Sequence, residues 1–130
     1  MSNSNNMADR RKFKRILFSA EEEVTGVVSL SGSDDEAKVY KIADLSAGGL
    51  RFLIQKIDWG EIKTGDTLLL QSIDGKSQLD FVSDLQLEVK WIMDDPRLEH
   101  VMIGCEYSRI NDSDRERIEQ FVESELQNAH

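Results

Sequence analysis

A mainly β fold is predicted, a small antiparallel barrel followed by one C-terminal helix. Three observations carry this. Between residues 24 and 110, apolar and polar residues alternate with a period of two over several short stretches. Clusters of Gly, Asp and Ser separate those stretches at hairpin spacing. After residue 110 the apolar period changes to that of a helix, with Ile118, Phe121, Val122 and Leu126 on one face.

The elements follow in order. Residues 1–9 are small and polar (Ser2, Asn3, Ser4, Asn5, Asn6) and are expected to form a disordered tail before a single domain over 10–130. Ile16, Leu17 and Phe18 start the folded body. Val24, Val27, Val28 and Leu30 mark a first full strand over 23–30, and Ser31 to Glu36 a loop. Tyr40, Ile42 and Leu45 mark a strand over 38–45 that leads into a Gly-rich turn, with Leu50 to Ile54 as its return. Residues 57–65, with Trp59 beside Gly60, read as irregular, and Thr67 to Ile73 as a strand. Asp74-Gly75 predicts a tight hairpin of the type I′ kind. The run after it, 79–93, predicts one long strand in which Leu85, Leu87, Val89 and Trp91 share a face. Asp94-Asp95-Pro96 turns the chain into a last strand over 99–110. A helix over about 113–127 is expected, with Ser113 and Glu116 as its capping box. The count is six or seven strands, as in a small antiparallel barrel.

Composition narrows the function. The chain has 130 residues, enough for a real core, and a formal net charge of −9, which argues against a surface that tracks nucleic acid. The charge is uneven: Arg10, Arg11, Lys12, Lys14 and Arg15 form a positive island before an acidic body, which suits a local anion site. An RNA-binding basic arm is a weaker reading, because few aromatics are interleaved. Cys105 is the single cysteine and sits in an apolar run, so a small core residue is expected rather than a nucleophile. The histidines, His100 and His130, lie apart, and no catalytic or metal-ligating constellation is spaced along the chain, so neither an enzyme nor a metal site is expected. The acids at 34–36 lack calcium-loop spacing and read as a solvated turn. No apolar run approaches a membrane span and the start lacks an apolar signal core, so a cytoplasmic location without membrane insertion is expected.

Two stretches carry chemistry. Arg11 and Arg15 stand four residues apart in the basic island, and Asp44-Leu45-Ser46-Ala47-Gly48-Gly49 reads Asp-x-Ser-x-x-Gly. A guanidinium can fork onto a phosphate, grip the O6/N7 edge of guanine or stack on a base. A carboxylate suits the N–H donors of a guanine edge, a serine hydroxyl adds an adaptable partner, and glycine lets a flat ligand approach. This mix matches a guanine dinucleotide with two phosphates; the other reading is a solvated basic tail followed by an ordinary Asp-Ser-Gly turn.

In this order and spacing the two stretches resemble the motif pair of the PilZ domain family, receptors for the bacterial second messenger cyclic di-GMP, over most of the chain from about Arg10. The resemblance implies a six-stranded antiparallel barrel with a C-terminal helix. It implies that Arg11 and Arg15 hold phosphates and guanine faces, that Asp44 and Ser46 hold a guanine edge, and that Gly49 completes the second motif. Arg10 matches a position that accompanies an intercalated pair of ligand molecules. Trp91 stands where members can carry an aromatic against the bound base; plain barrel packing is its other reading. Gly104-Cys105-Glu106-Tyr107 resembles a late Gly-x-x-Phe feature, with Tyr for Phe. The implied role is a receptor or adaptor that changes shape with ligand and signals to a partner protein. The alternative is a structural or adaptor domain, in pilus or flagellar regulation, that binds no nucleotide. A far-UV circular dichroism spectrum is expected to be dominated by strand with a minor helical component; a mostly helical spectrum would end the barrel reading.

Overall fold

The computed structural model describes residues 13–30, 36–60 and 62–128. The expected disordered tail, the acidic 34–36 loop (apart from Glu36) and the residues Arg10 and Arg11 lie outside them. The elements are β1 (Arg15–Leu17), β2 (Thr25–Leu30), β3 (Lys38–Ser46), β4 (Gly49–Gln55), α1 (Lys56–Trp59), β5 (Thr67–Asp74), a 3₁₀ turn (Ser77–Leu79), β6 (Leu85–Asp94), β7 (His100–Arg109) and α2 (Asp112–Asn128). Every strand pairing is antiparallel. The order β2-β5-β6-β7-β4 returns through a β4–β3 pairing to β2, so six strands close a barrel. β1 and β2 follow one another along one edge of β3, at Asp44–Ser46 and Lys38–Lys41, while β4 takes the other edge.

The core is what the alternation predicts. Ile42, Leu45, Leu50, Phe52, Leu68, Leu70, Leu87 and Ile103 point into the barrel and are fully buried. Each such side chain removed from water contributes roughly 1.5–3 kcal/mol before chain entropy is charged against it. The interior is packed with side chains, as expected at this strand number, so a ligand must find its site outside.

Register shifts interrupt the ladders at four places, and two of these bulges shape the outer wall. In β3 the register with β4 shifts between Ile42 and Asp44. Without the extra residue Asp44 would share the inward face of Tyr40 and Ile42; with it, Leu45 turns inward and Asp44 outward. In β6 the register with β7 shifts between Val89 and Trp91. Val89 faces Cys105 inside, whereas Trp91 faces Gly104 outside. The expected shared face of Leu85, Leu87, Val89 and Trp91 therefore ends at Val89. Bulges are a known device for re-aiming a side chain.

Asp74-Gly75 does not make the expected two-residue hairpin. β5 ends at Asp74, and the chain runs through the 3₁₀ turn before β6 begins at Leu85. The reason is packing: Leu79 and Val82 are buried, and the 3₁₀ turn lies against α2. Residues read as the start of a strand therefore form a support under the helix. Gly75 has φ 108°, and a Cβ there would run into the Glu23 carbonyl. The stretch read as irregular after β4 begins with the single-turn helix α1, and Trp59 Nε1 donates to the Ile62 carbonyl at 3.2 Å.

α2 is capped by Asn111 rather than Ser113: the Asp114 N–H donates to Asn111 Oδ1 at 2.7 Å. Asn is as good an N-cap as Ser, and it stands directly before the first helical residue. The helix buries Ile118, Phe121 and Val122 on the expected face, with Phe121 6.5 Å from the Phe18 ring. Lys76 Nζ donates to Glu22 and Glu125, both at 3.0 Å, tying the loop before β2 and the end of α2 to one ammonium. Among the described residues no helix is long and apolar enough to cross a membrane.

This ammonium gives a pH prediction. Hydrogen bonds from Glu22 and Glu125 raise the Lys76 pKa, and a backbone hydrogen bond from Ser19 and then Lys76 lower that of Glu22. A raised lysine contributes stability that is present below its unfolded pKa and lost as pH rises through the folded value. A lowered glutamate contributes stability that is present above its unfolded pKa and lost as pH falls through the folded value. Lys76→Met is therefore expected to lower the melting temperature by about 3–5 °C at pH 7, the scale of a solvent-screened ion-pair network in a chain of this size. The gap should shrink as pH falls through the lowered Glu22 value and as pH rises through the raised Lys76 value, because a partner then becomes neutral in the parent. Calorimetric melts across pH check this; a gap that is flat across pH would remove the ion-pair explanation.

Candidate functional site: an arginine-lined cleft on the barrel wall

The outward residues of neighbouring strands stand in rows. Leu17 of β1, Asp44 of β3, Arg51 of β4, Gly104 of β7 and Trp91 of β6 are successive cross-strand partners. In the next row Arg15 stands opposite Ser46, and Gly49 opposite Glu106. A cleft of about 370 Å³ opens over these rows. Its cations are Arg15, Arg51, Lys90 and Arg115, against the exposed Glu106.

Asp44 is the fixed point of the site. It is 0% exposed, yet no described side-chain polar atom is buried without a partner. Arg15 Nη1 donates to Asp44 Oδ1 at 3.1 Å, and Arg51 donates to Oδ2 through both Nε and Nη2. A buried carboxylate is tolerated when charge-assisted hydrogen bonds replace its water. Both oxygens are taken, and Asp44 does not line the cleft. In this state the carboxylate positions two guanidinium groups.

Ser46 builds the turn that follows. Its hydroxyl accepts from the Gly48 N–H at 3.1 Å and the Gly49 N–H at 3.2 Å, and donates to the Gly49 carbonyl at 3.3 Å. The Ser46 carbonyl accepts from the Tyr107 hydroxyl at 2.9 Å. Tyr in place of Phe in the late feature therefore ties β7 to the turn. Burial pushes the Tyr107 hydroxyl far above its ordinary pKa, with Arg115 and Arg15 countering in part, so it stays a donor. At Gly49 any Cβ would collide with the Cys105 carbonyl, so this glycine serves a close backbone approach. Burial alone pushes the Cys105 thiol up to about 12, in keeping with an unreactive core residue.

Trp91 is 38% exposed and its indole lies flat across Gly104, where even a Cβ would strike the ring. One face of the ring is thus seated on β7, and the residue lines the cleft rather than the barrel core. Of the expected site residues, the structure brings Arg15, Ser46, Gly49 and Trp91 to one cleft, with Asp44 directly behind.

Sequence reasoning missed Arg51, Arg115, Lys90 and Phe13. Arg51 was findable: Asp44 and Arg51 are equidistant from the Ser46–Gly49 turn, and a hairpin must place them side by side. Arg115 had no local signal. It reaches the cleft because α2 docks there, with Nε donating to the Ala47 carbonyl at 3.2 Å and the guanidinium 5.4 Å over the Phe13 ring.

An all-antiparallel six-stranded barrel with an arginine–carboxylate cluster on its wall and a C-terminal helix defines a small barrel binding domain. The family model described as "PilZ domain" matches residues 9–124, so the chain belongs to the PilZ domain family. Solved structures share the fold. The inhibitor of motility MotI/DgrA of Bacillus subtilis matches with a TM-score of 0.70 at 22% identity, over 93% of this chain and 53% of that one. MrkH of Klebsiella pneumoniae, in complex with c-di-GMP, matches at 0.65 and 18%, over 92% and 54%. The PilZ domain of YcgR from Escherichia coli, with c-di-GMP, matches at 0.67 and 16%, over 92% and 94%. The chain spans about half the length of MotI/DgrA and MrkH. No curated protein sequence matches the chain.

Gly49→Ala is expected to destabilise the fold by about 1–3 kcal/mol, the scale of a forced backbone shift in a packed site. Gly48→Ala should cost less, because the atom its Cβ would meet belongs to the Phe13 side chain at 2.9 Å, which can move. Urea denaturation of both variants checks the ranking; equal costs would contradict it.

Proposed function

We propose that the protein is a receptor for cyclic di-GMP, without catalysis, that changes conformation on binding and signals to a partner protein. The observation that carries this is the joining of both motifs at one place: Arg15 from the first is ion-paired with Asp44 from the second, at the edge of a cleft that Trp91 also lines. Family membership and neighbouring structures that hold c-di-GMP support the reading.

In this reading Arg11, Arg15 and Arg51 take phosphates and guanine edges, and Trp91 stacks a base. The Ser46–Gly49 turn gives the ligand a close backbone approach. Asp44 sets the planes of its two arginines in the free protein, and reading a guanine N–H edge requires one of them to swing onto a phosphate. Arg10 completes an intercalated ligand pair.

Calorimetry with cyclic di-GMP, cyclic di-AMP and GTP tests the proposal. Cyclic di-GMP should bind best, because adenine lacks the N1–H donor. Arg15→Ala should weaken binding about ten- to a hundredfold, since a charge-assisted contact is worth about 1.5–3 kcal/mol and ~1.4 kcal/mol is a factor of ten. Trp91→Ala should cost about tenfold, on the scale of one base–aromatic stack. Asp44→Ala should narrow the margin over cyclic di-AMP. About two ligands per chain are expected, falling toward one in Arg10→Ala. Absence of heat with micromolar cyclic di-GMP would sink the receptor reading and leave an adaptor that binds no nucleotide.

A further inference from the structure

The cleft's arginines are not equivalent. Arg15 and Arg51 are both committed to Asp44. Arg115 has no carboxylate: its Nε donates to the Ala47 carbonyl, its plane lies over Phe13, and among the described residues its terminal nitrogens have no hydrogen-bond or ion-pair partner. Those nitrogens carry four of the five N–H donors of a guanidinium.

The position of Arg115 is also electrostatically unfavourable for the helix. It stands four residues after the Asn111 cap, near the positive end of α2, where acids such as Asp112 and Asp114 are favoured and cations are not. The Nε bond and the ring contact fix its orientation, so little side-chain freedom remains to be lost when an anion arrives.

We propose that Arg115 is an anion-binding residue of the cleft, that its terminal N–H groups take a phosphate of the bound cyclic dinucleotide, and that this contact passes cleft occupancy to α2. The inference rests on the receptor reading above and adds a ligand contact that belongs to neither motif. The far half of α2 is held away from the cleft by Glu125, paired with Lys76 at 3.0 Å. A phosphate that engages Arg115 therefore acts on the first turn of the helix while its end stays tethered.

The test uses the full chain and cyclic di-GMP. Arg115→Met keeps an apolar stem over Phe13 and removes the charge; it should weaken binding about ten- to a hundredfold. Arg115→Lys keeps the charge and loses the fork, so it should lose only a few-fold. Salt should weaken the parent and the Lys variant more steeply than the Met variant, because only the first two have this charge to screen. Arg117→Met, at a residue whose guanidinium lies over Phe81 at 4.0 Å away from the cleft lining, should bind like the parent. Hydrogen exchange at the first turn of α2 should slow with ligand in the parent and not in Arg115→Met. Should the Met variant melt much earlier than the parent, Arg115→Gln, which keeps an N–H for the Ala47 carbonyl, gives the same comparison. The proposal is overturned if the parent binds and the Met variant binds equally well. It is also overturned if Lys and Met lose alike with the same salt dependence, which would leave Arg115 a purely structural prop. A parent that does not bind at all defeats the receptor reading itself, a result distinct from either of these.

Discussion

One carboxylate organises this molecule. Asp44 has no exposure to water, and Arg15 and Arg51 take the place of solvent at its two oxygens. An isolated carboxylate in that place would cost several kcal/mol, and removing one partner from such a pair typically costs about 3–5 kcal/mol. The three residues come from β1, β3 and β4. β1 has only three residues and few ladder bonds of its own, so the Arg15–Asp44 pair helps fasten the start of the folded body to the barrel. The same pairs fix where two guanidinium planes point. Fold and site thus share one electrostatic constraint.

That constraint depends on a departure from regular structure. A regular β3 would aim Asp44 into the core beside Ile42 and Phe52, where no arginine could follow it. The bulge after Ile42 turns it to the wall. The bulge before Trp91 does the same on the opposite side of the cleft, bringing an indole that strict alternation assigns to the interior out onto Gly104. In both strands the extra residue changes which face the following residues occupy, which a strand with side-chain period two cannot otherwise do.

This explains what was legible in the sequence. The strands could be read because alternation reports burial, and Ile42, Leu70 and Leu87 are buried as alternation requires. The two motifs could be read because their residue types state a chemistry. The outward turn of Trp91 could not be, because a bulge is set by how β6 meets β7 and leaves no mark in the alternation before it. Asp74-Gly75 misled for a related reason: the turn chemistry was right locally, but Leu79 found burial in the 3₁₀ turn against α2, with Val82 also buried, and the chain followed them. Ser113 and Asn111 are both competent caps, and the choice fell to the one at the point where β7 releases the chain.

The filled interior finally decides what kind of site this barrel can offer. With Phe52, Leu70, Leu87 and Ile103 closing the lumen, recognition is confined to the wall, where a strand contributes one side chain in two. A single strand cannot assemble a site on those terms. The cleft instead draws residues from β1, β3, β4, β6, β7 and α2. A ligand seated in that cleft would touch most of the sheet and the helix at once, and any difference in its affinity for two arrangements of those elements would become a shift between them. The three-residue strand β1 and the first turn of α2 bring Arg15 and Arg115 to the cleft. The bulged strands behind them are fixed by the core side chains that fill the barrel.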